Sequence, residues 1–114
     1  MNDLSDQEIY EISNPIWERM ISASNSIDYE KFSTHFSDAL KSKISKDKFE
    51  TQTKENQLLT TLVSGAIPLA CIRRSEGVTV LYKQLSSELS EEFLGLLTLS
   101  KINEEYRVID AQVN

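Results

Sequence analysis

The sequence predicts an α+β domain in which N-terminal helices pack on a four-stranded antiparallel sheet. Up to about residue 60, apolar residues recur at helical spacing. After Ser64 and Gly65, apolar and β-branched residues come in short runs that turn residues separate. The chain has 114 residues, a length that fits one compact core. We therefore predict a single domain over 1–114, with a helical part at about 4–60 and a sheet part at about 64–113.

The first helix is predicted to begin at Ser5, because Ser5 and Glu8 have the spacing of a capping box. The apolar stripe that follows consists of Ile9, Ile12, Ile16, Trp17, Met20 and Ile21. Pro15 interrupts this stripe, and two outcomes stay open. Either the helix is kinked at Pro15, or a second helix begins at Ser13 or Asn14 with the proline in its first turn.

Two further helices are predicted before the sheet. Asp28 is expected to cap the second helix, whose buried side would carry Tyr29, Phe32, Phe36, Ala39 and Leu40. Ser45 is expected to cap a third helix that runs to about Leu58, with Phe49 and Leu58 as its apolar anchors.

Four strands are predicted, at 67–74, 78–85, 93–100 and 106–113. Pro68 predicts that the first strand lies at a sheet edge, carries a bulge, or begins at this proline. Gly77 is expected to take a positive φ in the hairpin turn before the second strand. Helices first and an antiparallel meander afterwards give the α+β layout.

The predicted strands carry apolar side chains on both faces. In the third strand, alternation separates Phe93, Leu97 and Leu99 from Leu94 and Leu96. In the second strand it separates Val78, Val80 and Tyr82 from Leu81 and Leu85. In the last strand it separates Tyr106 and Val108 from Ile109, Ala111 and Val113. A sheet that met water on one face would alternate apolar with polar residues. Because the chain has helices for one face only, we predict a homodimer through the other face.

Composition narrows the classes of function. Twelve Lys and Arg against eighteen Asp and Glu give a net charge of −6, which disfavours nucleic-acid binding. Cys71 is the one cysteine and His35 the one histidine, which excludes an internal disulfide and a zinc site of the usual Cys/His type. A carboxylate-rich metal site stays open, although no local spacing indicates one. We predict no metal and no cofactor. Cys71 lies within a predicted strand and is interpreted as a small apolar residue, rather than as a nucleophile.

The location of the protein is predicted from two further patterns. No apolar run reaches the length of a membrane span, so no membrane is expected as a partner. The acidic start has neither the basic region nor the apolar region of a secretory signal, and this favours a cytoplasmic location. A chain from which a leader had been removed would look the same.

The chain resembles the NTF2-like superfamily, the cystatin-like α+β cone. The resemblance rests on the helical segment 10–21, on the pattern Asp28-Tyr29-x-x-Phe32-x-x-x-Phe36, on a basic linker with a third helix, and on the meander that ends in Tyr106-Arg107-Val108-Ile109-Asp110. It covers roughly residues 9–113 and is strongest toward small bacterial members of uncharacterised function. The resemblance implies a curved sheet around the helices, an open-ended cavity and frequent dimerisation through the sheet. The same cone hosts isomerases, dehydratases, cyclases, transport adaptors and domains without known chemistry, so it does not determine the function.

Large side chains are the candidates to line such a cavity around a small apolar ligand. The six candidates are Trp17, Met20, Tyr29, Phe36, Tyr82 and Phe93. In the alternative interpretation, these side chains fill the cone completely and contribute only to stability.

His35 and Asp38 are the candidate catalytic residues. A histidine titrates near neutral pH, and a carboxylate three residues later on the same helix would orient the imidazole. Catalytic members of the superfamily typically place such groups on the cavity wall. We favour the interpretation in which His35 is half-exposed beside Phe32 and Phe36 and Asp38 is solvated.

A short basic cluster consists of Lys41, Lys43, Lys46 and Lys48, with Asp47 among them. Such a cluster either holds an acidic partner or a phosphate, or is a solvated loop, and we favour the solvated loop. Taken together, the sequence predicts a non-enzymatic, homodimeric binding module. The alternatives are a small cavity enzyme of isomerase, dehydratase or cyclase type that uses His35 and Asp38, and an adaptor whose sheet face meets a different protein.

Overall fold

A computed structural model of the protein describes residues 1–114 and has the predicted α+β architecture. Four helices and one 3-10 turn come first, and four strands follow. The helices are α1 (Asp6–Ser26), α2 (Tyr29–Phe32), α3 (Asp38–Lys43) and α4 (Lys46–Glu55), and the 3-10 turn spans Gln57–Thr60. The strands are β1 (Ile67–Arg73), β2 (Val78–Leu85), β3 (Glu92–Ile102) and β4 (Glu105–Val113).

The four strands form one curved, open antiparallel sheet in the order β1-β2-β3-β4. Each strand pairs with its neighbour in the sequence, so short connections suffice. Pro68 lies in the edge strand β1, where its missing N–H removes no bond from the sheet interior. On the free side of β4, Phe36 forms an isolated bridge with Val108.

Helix α1 begins with the predicted capping box. The Ser5 hydroxyl accepts a hydrogen bond from the Glu8 N–H, and the Glu8 carboxylate accepts one from the Ser5 N–H. Pro15 lies inside one continuous helix, so the second of the two open outcomes, a new helix beginning at Ser13 or Asn14, is wrong. Pro15 and Glu11 are both exposed, and solvent can therefore reach the Glu11 carbonyl that lacks its helical partner.

The expectation of one helix running from Asp28 to Leu40 is wrong, although its cap is correct. Asp28 caps α2, which ends after a single turn, and α3 begins only at Asp38. Between the two helices the chain runs beside β4. The Ser37 N–H donates to the Val108 carbonyl at 2.9 Å, and the Val108 N–H donates to the His35 carbonyl at 2.7 Å. Bonds of this kind pair the backbone with a strand, and they interrupt the helix.

Helix α4 begins at the predicted cap, since the Ser45 hydroxyl accepts a bond from the Lys48 N–H. It ends at Glu55, earlier than the expected end near Leu58. The Asn56 side chain then accepts from the Leu58 N–H and caps the 3-10 turn, which buries Leu58.

A bulge in β1 changes the face on which its residues lie. The register shifts between Pro68 and Ala70, so Cys71 pairs with Val80 on the inner face. Leu69 is 52% exposed. Strict alternation, which puts Leu69 and Cys71 on the same face, is therefore wrong here, because a bulge inserts one extra residue.

A second irregularity lies between β3 and β4. Leu97 pairs with Ala111 and Leu99 pairs with Val108, so the register shifts next to Thr98. Val108, Ala111 and Val113 consequently all pack toward the core. The expectation that Val108 faces away from Ala111 and Val113 is wrong for the same physical reason as in β1.

The two hairpin turns differ in what they require of the backbone. Gly77 does not adopt a positive φ, contrary to expectation. A Cβ atom at this position would lie 1.9 Å from the Leu99 carbonyl oxygen, so a close approach of two strands is what requires glycine. In the turn before β4, Asn103 and Glu104 have φ values of 52° and 66°, which is typical of a type I′ hairpin.

Helices α1 and α3 pack directly on the sheet, on the face that we call the inner face, and α2 and α4 pack on other helical elements. The strand residues in the buried core on this face are Val78, Val80, Tyr82, Leu97, Leu99 and Val108. On the opposite, outer face, register places Ala70, Leu81 and Leu96 in one row across three strands. Ile72 and Leu94 flank this row and are 42% and 39% exposed. No outward strand residue belongs to the core, so the protein leaves an apolar sheet face uncovered.

Gly95 lies where α1 passes over the inner face. A Cβ atom on Gly95 would lie 2.5 Å from Cζ2 of Trp17, well inside van der Waals contact. The indole is itself 2% exposed and packed on its other sides, so it has little room to move. The absence of a side chain at this position lets the helix approach the sheet.

We expect Gly95→Ala to lower the free energy of unfolding by about 1–3 kcal/mol, because it overpacks a filled core. Urea denaturation measures the change. Ser100→Ala, on the outer face of the same strand, is the control and should change stability little. In a Trp17→Leu background the same glycine substitution should cause a smaller loss, since the clashing ring is gone. Equal losses in both backgrounds would contradict this explanation.

Candidate functional site

A cavity of about 730 Å³ lies between α1, α4 and the C-terminal end of β4. Its floor is apolar and includes Trp17, Met20 and Ile21 from α1. Phe49 of α4 and Ala111 of β4 form parts of the two facing walls. Cavities of roughly 300–1,000 Å³ with mostly apolar walls are the common form of small-molecule sites.

Aromatic packing between α2 and α4 holds the outer wall of the cavity. The rings of Phe32 and Phe49 have centroids 4.4 Å apart, and the rings of Tyr29 and Phe49 are 5.7 Å apart. The Tyr29 hydroxyl donates to the Ile44 carbonyl at 2.6 Å, which ties α2 to the end of α3. The wall therefore depends on helix-to-helix contacts rather than on the sheet.

The floor is fixed by hydrogen bonds from α1 to β2. The Trp17 indole N–H donates to Oε1 of Gln84 at 2.9 Å, and its ring stacks on Tyr82 with centroids 5.1 Å apart. The Gln84 amide nitrogen in turn donates to the carbonyls of Val63 and Leu85. Every polar atom of this buried pair has a partner, so the indole that borders the cavity is held in one position.

The Tyr82 hydroxyl completes the same buried network. It lies 2.6 Å from the Ser13 hydroxyl and donates to Oδ1 of Asn14 at 2.8 Å. Burial raises the pKa of Tyr82 from its ordinary value of 10.0 to about 12. The hydroxyl is therefore protonated at neutral pH and serves as a hydrogen-bonding group inside the fold.

The mouth of the cavity is polar. Lys43 and Lys48 lie on either side of the connection between α3 and α4. Further polar residues at the mouth are Gln52, Glu55, Asn56, Gln112 and Asn114. None of the ion pairs in the structure involves these two lysines.

The structure distributes the six predicted lining residues between the cavity and the core. Trp17 and Met20 line the cavity. Phe36 and Tyr82 are buried in the core, and Phe93 packs half-buried against it. Tyr29 contacts Phe49 from outside the cavity.

Sequence analysis did not identify several lining residues, among them Ile21, Phe49, Leu62, Ala111 and Val113. Phe49 was expected to anchor its helix, and the two β4 residues were assigned by strict alternation. An apolar residue in the sequence carries no signal that separates a position on a cavity wall from an ordinary position in the core.

His35 lies outside this cavity. It is half-buried and lines a second, mostly polar depression of about 570 Å³ together with Tyr106 and Arg107. Burial lowers the pKa of His35, and the positive charges of Arg19 and Arg107 lower it further. The imidazole is therefore neutral at pH 7, as a general base requires.

Asp38 is not joined to His35. It is the first residue of α3 and is exposed, and no hydrogen bond or ion pair connects the two side chains. The expectation that both residues lie on the same helix is wrong, because the helix is interrupted between Phe32 and Asp38. Catalysis by this pair stays the alternative hypothesis, and it is not the one that we favour.

Cys71 is half-buried and packs against the core from β1. Burial raises the pKa of its thiol, as does the negative charge of Asp6, while the neighbouring Tyr10 and Arg73 act in the opposite direction. A raised pKa disfavours the thiolate, which is the nucleophilic form.

No group of three or more His, Cys, Asp or Glu side chains is placed to hold a metal ion. None of the helices combines the length and the apolar character needed to cross a membrane. The chain matches no protein-family model, and no curated protein matches it either.

The pKa of Tyr82 predicts a loss of stability at high pH. In the unfolded chain the hydroxyl ionises near pH 10, whereas in the folded protein it stays neutral up to about 12. Between these values the unfolded state binds fewer protons, so the free energy of unfolding falls as the pH rises. The stabilisation is fully present below pH 10 and decreases by up to about 2 kcal/mol on the way to pH 12.

Tyr82→Phe should remove this part of the pH dependence, and it should also destabilise the protein at pH 7 by about 1–3 kcal/mol because Ser13 loses its buried partner. Urea titrations between pH 8 and about 11.5 compare the slopes. Tyr106→Phe, at a half-buried position outside the network, is the control. Parallel slopes for wild type and Tyr82→Phe would be the contrary result.

Proposed function

We propose that the protein is a non-enzymatic binding module with an NTF2-like cone, which holds a small apolar molecule in the cavity between α1, α4 and β4. The single observation that supports this is the cavity itself, with its apolar floor of Trp17, Met20 and Ile21 and its polar mouth. A polar group at the mouth orients a ligand, and burial of its apolar body supplies the free energy of binding.

The NTF2-like assignment is supported by the order of the elements and by where the cavity lies. Helices come first, an antiparallel meander follows, and the opening lies between the helices and one end of the sheet. The proposal includes a cytoplasmic location. It does not depend on His35, which lines the other depression.

Nile red, a neutral dye whose emission increases in apolar surroundings, tests the cavity as a binding site. We expect a saturable increase in fluorescence with one dye per chain. Ala111→Phe places a large side chain in the cavity wall and should abolish most of the increase. Ala39→Phe, at an exposed position of α3, is the matched control and should bind like wild type. Binding that Ala111→Phe leaves unchanged would contradict the proposal.

We also propose that the protein is a homodimer, in which the outer face of the sheet packs against a second copy of this chain. The central row of Ala70, Leu81 and Leu96 is apolar and continuous across three strands. Of the charged residues that flank it, Lys83 and Glu92 form an ion pair at 3.3 Å, whereas Asp110, opposite Thr98 on β4, belongs to no ion pair.

The uncharged row matters because the whole chain carries −6. Two copies repel each other at long range, and a row without charge is where they can approach. The hydroxyls of Thr79 and Thr98 bond to each other at 2.8 Å and so need no partner from another chain. A two-fold arrangement would bury each apolar row against its own copy.

Multi-angle light scattering at tens of micromolar should give twice the chain mass of 13.0 kDa for the wild type. Leu81→Glu with Leu96→Glu should give the single-chain mass, because four carboxylates would meet in the apolar interface. Ala39→Glu adds the same type of charge to an exposed helix and should remain dimeric. A wild-type protein that is monomeric under these conditions would exclude the dimer.

A further inference from the structure

We infer that the cavity takes an amphipathic anion, such as a fatty-acid-like carboxylate, with its head group between Lys43 and Lys48 and its apolar body on the Trp17 floor. This inference names the ligand class of the proposed binding function and rests on that function. The evidence for it is the positive charge of the two lysines at the mouth. The proposed function does not depend on this charge.

Lys43 and Lys48 both line the cavity, one at the end of α3 and the other in the first turn of α4. Both residues are exposed, and neither has a carboxylate partner in the structure. The long apolar stem of a lysine can lie along an apolar wall while its ammonium group stays at the mouth. Two such groups at one opening present a site for a single negative charge.

The stability of α4 does not explain Lys48. Lys43, in contrast, lies in the last turn of α3, where the helix dipole favours a positive side chain. Lys46 and Lys48 lie in the first turn of α4, where the helix dipole favours negative rather than positive side chains. The side-chain charges at a helix end usually agree with the helix dipole, and residues that disagree with such local preferences are concentrated at functional positions.

The basic cluster also stands out against the charge of the whole molecule. Residues 41–48 contain four lysines and one aspartate, so their net charge is +3. The rest of the chain then carries −9, since the total is −6. A local positive patch on an acidic protein directs small anions to the cavity mouth and keeps them from the remaining surface.

The negative group on the cavity lining is distant from the proposed head-group position. Glu55 lies at the far end of α4, seven residues after Lys48. At 1.5 Å per residue the two positions are about 10 Å apart along the helix. Gln112 and Asn114, on the β4 side of the mouth, are amide side chains and add no side-chain charge. The charge distribution therefore places the anionic head at the Lys43 end.

Trp17 provides a direct readout of binding. It is the one tryptophan of the chain, and its ring forms part of the cavity floor. Decanoate and decanol share the same apolar chain and differ in the charge of the head group. Titration of the full chain with each compound, monitored by tryptophan fluorescence at low ionic strength, separates the contribution of the charge from that of the apolar body.

We expect Lys43→Gln with Lys48→Gln to weaken decanoate binding by about tenfold and to change decanol binding by less than about twofold. Lys41→Gln with Lys46→Gln removes the same charge from the same cluster, at positions that do not line the cavity. These variants should change decanoate binding by less than about threefold. All four lysines are exposed, so the variants should keep the wild-type thermal melt, which circular dichroism checks.

Three outcomes would overturn the inference. If both probes bind the wild type and the Lys43 and Lys48 variant weakens neither, the ligand class is wrong while the binding function stands. If both lysine pairs weaken decanoate equally, the effect is general electrostatic attraction and no head-group site exists. If neither probe changes the Trp17 fluorescence, the proposed binding function itself fails, and this inference fails with it.

Discussion

The fold depends on how Trp17 lies on the sheet. The missing side chain of Gly95 creates the space, the Tyr82 ring stacks on the indole, and Gln84 accepts its N–H. Stacking of two aromatic rings contributes about 0.5–1.5 kcal/mol beyond burial, and a buried hydrogen bond contributes roughly 1 kcal/mol. These contacts set the distance between α1 and the sheet. The same indole borders the cavity, so the side chain that fixes the core also forms the surface that a ligand would meet.

The structural features that were predicted correctly are those that a few neighbouring residues determine. The caps at Ser5, Asp28 and Ser45 are correct, because a cap needs only a side-chain oxygen and an amide two or three residues later. The interruption after Phe32 was missed, because its cause is bonding to Val108, which is more than seventy positions away in the chain. Nothing local to the segment signals it.

The faces of the strands were predictable except at the bulges. Alternation assigns β2 and β3 correctly, since their pairing is regular. It fails at Leu69 and around Val108, where one extra residue reverses every later assignment on the strand. In β1 the sequence did indicate a possible bulge, because Pro68 is compatible with one. No comparable residue marks the bulge beside β4.

The same limit applies to the candidate site. Large size predicts burial, and the six aromatic and methionine candidates are indeed buried or half-buried. Size does not predict which buried side chains border a void. The void arises because α4 packs on α2 while small residues, Ala111 and Val113, occupy the facing end of β4. The position of α4 relative to β4 creates the site, and no single residue in the sequence predicts that position.

The way α4 is attached has a consequence for its dynamics. It buries only Phe49 and Thr53, whereas β2 contributes four fully buried side chains to the interior of the domain. Segments with few buried contacts open locally at a smaller free energy than global unfolding requires. Amide protons of α4 should therefore exchange with solvent through local unfolding of this helix. Amide protons of β2 should exchange only when the whole domain unfolds. A solute can enter behind α4 during such local unfolding, and the sheet with its seated indole stays intact.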